Sequence, residues 1–228
     1  MKVQAVVFPG FTFIDLAGPM QAFSLLPEFQ AQVVWQQKGE IASDAGVPVV
    51  ASHSFSDAWK DPDILFVPGN TLALFDQLEN PRILDFLADR GTRAGWITSV
   101  CNGSLLLGAS GLLHGYKAAA YWYTREYLAH FGAKPVADRV VIDRNRATGG
   151  GMTAGIDFGL TMLGHLVDNT HGQLAELIFE YAPEPPYGTG RPELASEETR
   201  QTALSIVANL MPVERIAKLK ARAAPRTL

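Results

Sequence analysis

Short, nearly unbroken apolar runs that end in turns and give way to helical patterns constrain this chain most. Val3–Phe8 stops at Pro9-Gly10, Asp63–Val67 at Pro68-Gly69-Asn70, and Gly95–Val100 at Cys101. A strand that is apolar on both faces must be covered on both faces. A parallel sheet between two layers of helices supplies that cover. The expected fold class is therefore α/β, with a mostly parallel sheet and helices on both faces. Ligands in such folds sit beyond the carboxyl ends of the strands. That directs attention to Pro9–Asp15, Pro68–Thr71 and Val100–Asn102.

The rest of the pattern fits one body. Ile14–Leu26 predicts a helix with Pro19 in its first turns, where a missing N–H costs little. Ala31–Gln36 predicts a strand, and Lys38 to Val50 an excursion of turns and strands. Helices are expected over Pro81–Arg93, Asn102–Ala109, Trp122–Phe131, Thr153–Val167 and Gly172–Tyr181. A short strand is expected near Ala118–Tyr121, and paired strands over Arg139–Asp143 and Arg146–Thr148. A Pro-rich loop, Pro183–Pro192, precedes a last helix from about Ser196 to Lys220. One helix is too little for a second domain, so residues 1–228 are expected to form a single domain with that helix packed on it.

Charge and cysteine usage exclude several classes. The formal net charge is −4, and a mildly acidic chain lacks the basic face that phosphates require, so no nucleic-acid partner is expected. Val3–Phe8 is too short for a signal-peptide core or a membrane span, so the expected compartment is the cytoplasm, with no membrane partner. One cysteine excludes an internal disulfide and a cysteine-built metal site. The five histidines form no i, i+4 pair, and none neighbours Cys101 in sequence, so no metal is expected. Charged residues are only 18%, below the usual ~25%, which points to covered surface beyond one subunit's core. The cations Arg215, Lys218, Lys220, Arg222 and Arg226 read as complements to the C-terminus of the last helix.

Thr98-Ser99-Val100-Cys101-Asn102-Gly103-Ser104 carries the strongest chemical signal. A strand feeding a helix through a sharp turn lifts one side chain above the sheet, the geometry of a nucleophile elbow. The free amides and dipole of the helix N-terminus are expected to favour a thiolate at Cys101. The plain alternative is a small buried hydrophobe. Asp15 stands among apolar neighbours at a helix start, where it is either an N-cap or, across the sheet top from Cys101, an acid with a raised pKa. The amides of Gly69 and Asn70 could stabilise developing negative charge, or form an ordinary turn. Gly149-Gly150-Gly151-Met152 lacks the Lys-Ser/Thr of a P-loop and the dinucleotide spacing. It is read as backbone passing close to something, with Gly150 and Met152 as the wall of the Cys101 pocket.

These residues together resemble a known group of proteins. Asp15-Leu16-Ala17-Gly18-Pro19, Val67-Pro68-Gly69, Ser99-Val100-Cys101-Asn102-Gly103-Ser104 and Gly111-Leu112-Leu113 resemble the class I glutamine-amidotransferase-like superfamily. Within it, Thr148–Asp157 and Glu180–Pro186 resemble the isocyanide hydratases. The resemblance runs from Val3 to Arg215. It implies a flavodoxin-like sandwich, usually a homodimer, that adds water to an organic isocyanide to give an N-substituted formamide, with no cofactor. By this resemblance Cys101 is the nucleophile and Asp15 the paired acid. The amides near Gly69 and Asn70, and that of Asn102, are the anion-stabilising groups. The chain departs from the pattern at Asn102, often threonine, at Asn70, often glycine, and at Tyr121, often histidine. Asn102 also stands where the protease-like relatives carry a histidine base, which argues against peptidase activity. A ligand-binding domain, a thiol redox sensor and a glyoxalase-type aldehyde hydratase remain the alternatives.

Overall fold

A computed structural model describes residues 1–70 and 72–219; Thr71, Lys220, Arg222 and Arg226 lie outside them. In chain order, β1 (Lys2–Val6) leads to α1 (Phe13–Phe23) and β2 (Gln30–Trp35). The excursion after it is an antiparallel hairpin of β3 (Gly39–Ala42) and β4 (Pro48–Ala51), followed by the two-residue β5 (His53–Ser54). Then come β6 (Ile64–Val67), α2 (Leu74–Leu78), α3 (Pro81–Gly91), β7 (Trp96–Val100) and α4 (Gly103–Ala109). β8 (Lys117–Ala118), a 3-10 helix (Arg125–Phe131), β9 (Lys134–Pro135), β10 (Val140–Asp143) and β11 (Arg146–Gly149) follow. The chain continues through α5 (Ala154–Leu166), α6 (Asn169–Ile178), α7 (Glu197–Leu210) and a 3-10 helix (Val213–Lys218).

Seven strands form the main sheet in the order β10-β11-β7-β6-β1-β2-β5. All neighbours run parallel except β10 against β11, whose tight turn at Arg144-Asn145 makes them antiparallel. The expected sandwich is present: α1, α5 and α6 pack together on one face, and α2, α3 and α4 on the other. β6 is buried along its whole length, as its unbroken apolar run demands. Phe66 meets Phe23 of α1 edge-on at 6.1 Å and stacks on Phe158 of α5 at 6.0 Å. Each such side chain contributes about 1.5–3 kcal/mol of burial, and here it seats both helices on the sheet. Gln4 interrupts β1 but is buried opposite Gln32 of β2, donating to its Oε1 at 3.4 Å and to the Trp59 carbonyl at 3.0 Å.

Several elements depart from the sequence pattern, each for a local reason. The last helix ends at Leu210 rather than near Lys220. Met211 precedes Pro212 and is driven to an extended conformation, φ −127° and ψ 91°. α7 packs against the core through Val207, although none of its residues is fully buried. The segment predicted as a helix over Trp122–Phe131 is a tighter 3-10 helix that starts at Arg125. α6 starts at Asn169 rather than Gly172, because the Asp168 side chain accepts from the His171 N–H and caps it. α2, unmarked by any long periodicity, has four of its five residues buried. Arg215 lies in the last turn of the 3-10 helix Val213–Lys218, rather than at the end of α7, and pairs at 2.8 Å with Glu79, the residue after α2.

Candidate active site

β7, β6 and β1 are adjacent in the sheet and parallel, so their carboxyl ends deliver three loops to one spot. Cys101 follows β7, Gly69-Asn70 follow β6, and Asp15 sits in the first turn of the helix after β1. The elbow predicted at Cys101 is real in backbone terms. Its φ is +57°, a conformation L residues avoid and active-site elbows impose. The turn closes only because Gly103 has no side chain, since a Cβ there would lie 2.2 Å from the Val67 carbonyl oxygen. Ser104 anchors the helix by donating to the Ala119 carbonyl at 2.6 Å.

Gly69 is equally tight. A Cβ on it would fall 2.5 Å from the Asn102 nitrogen, 2.8 Å from Cys101 Cβ and 3.0 Å from Asp15 Oδ2. Its N–H donates to Asp15 Oδ2 at 3.1 Å. Asp15 Oδ1 has no hydrogen-bond partner among the described residues, and the Cys101 thiol lies against the same carboxyl group. Asp15 is fully buried, and burial lifts its pKa from the ordinary 3.8 to about 7, partly offset by the Gly69 amide. The N-cap alternative for Asp15 therefore falls away. Thr12 occupies the cap position, and the Phe13 N–H instead donates to Asp44 Oδ1 at 3.1 Å.

The thiolate expectation is corrected. Cys101 is 2% exposed, and burial, reinforced by the Asp15 charge, pushes its thiol well above the usual range. The Asn102 and Met152 amides face the sulfur and pull the other way, but desolvation outweighs them. Burial thus favours the protonated form of both groups.

The glycine run does pass close to the elbow. The Cys101 N–H donates to the Gly149 and Gly150 carbonyls at 3.1 and 2.9 Å. Met152, at φ +42°, turns its N–H toward both Asp15 and Cys101. Gly150 and Met152 also line a cleft of about 630 Å³, with Tyr121, Trp122 and Pro192 among its other walls. Neither Cys101 nor Asp15 is among the residues that line it. Another cleft, of about 590 Å³ between α5 and α6, contains none of the predicted site residues.

The Asn102 side chain bonds to the turn after β6 and to the Tyr121–Thr124 segment. Its Nδ2 donates to the Asn70 carbonyl at 2.8 Å, and its Oδ1 accepts from the Thr124 hydroxyl. The histidines are engaged elsewhere, for example His130 with the Leu219 carbonyl and His171 with Asp168. Sequence reasoning missed Thr124 and Asp44. Their contacts span 22 and about 30 residues, and nothing local to either marks them. Among the described residues, no group of three or more His, Cys, Asp and Glu is arranged to hold a metal. Nor is any helix there long and apolar enough to cross a membrane.

Comparison with known proteins gives the family and the fold. A family model described as the DJ-1/PfpI family matches residues 1–165. The isonitrile hydratase of Pseudomonas putida is 40% identical over 195 residues, covering 86% of this chain and 85% of that protein. The crystal structure of a ThiJ/PfpI family protein from Pseudomonas syringae superposes with a TM-score of 0.92 at 42% identity, covering 96% of this chain and 89% of that one. An AraC family transcriptional regulator from Pseudomonas putida superposes with a TM-score of 0.71 at 19% identity, covering 78% of this chain and 98% of that one. That last likeness concerns the fold alone.

Proposed function

The chain belongs to the DJ-1/PfpI family, and from that premise we propose that it is a cofactor-independent isocyanide hydratase acting through Cys101 and Asp15. One observation carries the reading: the fully buried Asp15 carboxyl, one oxygen held by the Gly69 N–H, lies against the chain's single thiol. An isocyanide carbon must gain a nucleophile and a proton at the same atom. A soft sulfur beside a neutral acid is suited to that demand.

The atoms balance as follows. Protonated Asp15 gives its proton to the terminal carbon as Cys101 sulfur bonds to it, and the thiol proton passes to the Asp15 carboxylate. The product is a thioimidate, R–N=CH–S–Cys101. Water then adds across the C=N bond, its oxygen to carbon and a proton to nitrogen, with Asp15 relaying that proton. Collapse breaks the C–S bond, returns the hydroxyl proton to sulfur and releases R–NH–CHO. The amides of Asn102 and Met152 stabilise charge on sulfur during both steps. Gly69 and Asn70 hold the carboxyl in register, and Gly150 and Met152 form the wall nearest the substrate's side chain.

The isonitrile hydratase relative, at 40% identity, supports the substrate class. The thiol-sensor alternative needs an exposed thiol of low pKa, and Cys101 is buried with a raised one. We read the chain as one cytoplasmic domain that pairs as a homodimer. Leu177 and Ile178 of α6 are 77% and 59% exposed, and Ile206 of α7 is 56% exposed; these exposed apolar side chains are suited to burial against a second copy. The deciding experiment incubates the protein with alkyl and aryl isocyanides, glyoxal and methylglyoxal, and detects formamides or hydroxyacids by mass spectrometry. Formamide from wild type and none from Cys101→Ala supports the reading. Turnover of the aldehydes alone would replace it with the glyoxalase alternative.

A further inference from the structure

We propose that Thr124 and the Asn102 side chain form a positioning pair that holds the Gly69–Asn70 turn against the Asp15 carboxyl. The inference deepens the reading of Asp15 and Cys101 as the reacting groups and rests on it. Asn102, Asn70 and Thr124 are all buried, with relative exposures of 0%, 2% and 0%. Their bonds form one chain. The Thr124 hydroxyl donates to Asn102 Oδ1, and Asn102 Nδ2 donates to the Asn70 carbonyl at 2.8 Å. Asn70 is clamped on its other side, where Nδ2 donates to the Gly10 carbonyl and Oδ1 accepts from the Ala73 N–H at 2.6 Å. The Gly69 carbonyl accepts from the Thr12 N–H at 2.8 Å. What this clamp presents to the site is the Gly69 N–H, 3.1 Å from Asp15 Oδ2.

A carboxamide has one donating and one accepting end. The Asn70 carbonyl requires the donor, and the Thr124 hydroxyl satisfies the acceptor left on the other side. Thr124 also ties the aromatic wall of the cleft to the elbow, because its N–H donates to the Tyr121 carbonyl at 3.0 Å. A threonine hydroxyl at position 102 would not span both partners. The longer amide lets the elbow reach across to β6 and to the Tyr121–Thr124 segment at once. The side chains of Asn102 and Thr124 bond to one another, and Asn102 to the Asn70 carbonyl, so they act through Gly69 and Asp15.

The test uses Thr124→Val, which removes the hydroxyl at nearly constant volume, and Thr124→Ser, which keeps it. Thr124→Val is expected to lower kcat for cyclohexyl isocyanide by about 10- to 100-fold, with KM within about threefold, as for a misplaced catalytic group. A second readout needs no substrate. The Asp15 carboxyl is titrated by ¹³C NMR and assigned by its loss in Asp15→Asn. The titratable groups facing Asp15 are Cys101 and Asp44, with the Gly69 and Met152 amides beside it. Loosening the Gly69 amide removes a bond to the carboxylate. The midpoint should therefore rise from about 7, by about half a pH unit or more in Thr124→Val, and return in Thr124→Ser. Wild-type kcat and midpoint in Thr124→Val would overturn the proposal. Equal loss in Thr124→Val and Thr124→Ser would reduce Thr124 to packing and overturn it too. If Thr124→Val does not fold, Asn102→Ser is read by the same criteria. Absence of formamide from the wild type would sink the hydratase reading, and the carboxyl titration would then decide the positioning pair alone.

Discussion

Replacing Asp15 by asparagine should make the folded protein more stable at high pH while it destroys activity. The unfolded chain releases the Asp15 proton near pH 3.8, and the folded chain holds it until about 7. Between those values the native state binds more protons than the unfolded state, so stability falls as pH rises. The loss is complete just above pH 7. Roughly three pH units at about 1.36 kcal/mol each give a ceiling of about 4 kcal/mol. Asparagine cannot ionise, so the advantage of Asp15→Asn over wild type should be near zero at pH 3 and approach that ceiling by pH 8. The amide nitrogen at the unpartnered Oδ1 position adds a constant cost of about 1–3 kcal/mol. The diagnostic is therefore the change with pH, not the offset. Urea unfolding followed by tryptophan fluorescence at pH 4, 6 and 8, at one protein concentration, measures it by linear extrapolation. Turnover of Asp15→Asn should fall by about 10²–10⁴-fold. A stability difference between variant and wild type that is the same at pH 4 and pH 8 would refute the raised pKa and the acid role built on it.

Three further outcomes follow from the same geometry. Gly69→Ala should cost about 1–3 kcal/mol or more, because its Cβ would sit 2.5 Å from the Asn102 nitrogen. It should also lower kcat by about 10²-fold; a variant with wild-type melting temperature and rate would contradict the packing described. The pH profile of kcat/KM for isocyanide should fall as pH rises through about 7, because the acid form of Asp15 supplies the carbon's proton; a profile that rises there would make Asp15 the base of that step instead. Light scattering at micromolar concentration should give twice the chain mass, and charged substitution of Leu177 and Ile206 together should give the chain mass; a monomeric wild type would remove the interface.

The sheet could be read in the linear chain because its cause is local. Continuous apolar runs such as Ile64–Val67 demand cover on both faces wherever they lie, and a strand–Cys–helix junction with small residues after it implies an elbow. Cys101, Asp15, Gly69 and Asn70 could be nominated for the same reason, each being in a loop that must rise at a strand's carboxyl end. What the sequence could not supply is anything that depends on strand order. Only when β7, β6 and β1 lie side by side does Asp15 face Gly69 across 54 residues of chain. Only that burial lifts its pKa and raises that of the thiol, where the helix N-terminus alone suggested a thiolate. Helix propensity was overruled at Leu210 by one proline, a local fact, but the roles of Thr124 and Asp44 were set by contacts that no window of sequence contains. Residue type determines which groups can do chemistry. Desolvation and hydrogen-bond partners, which come from residues far along the chain, determine the protonation state in which they do it.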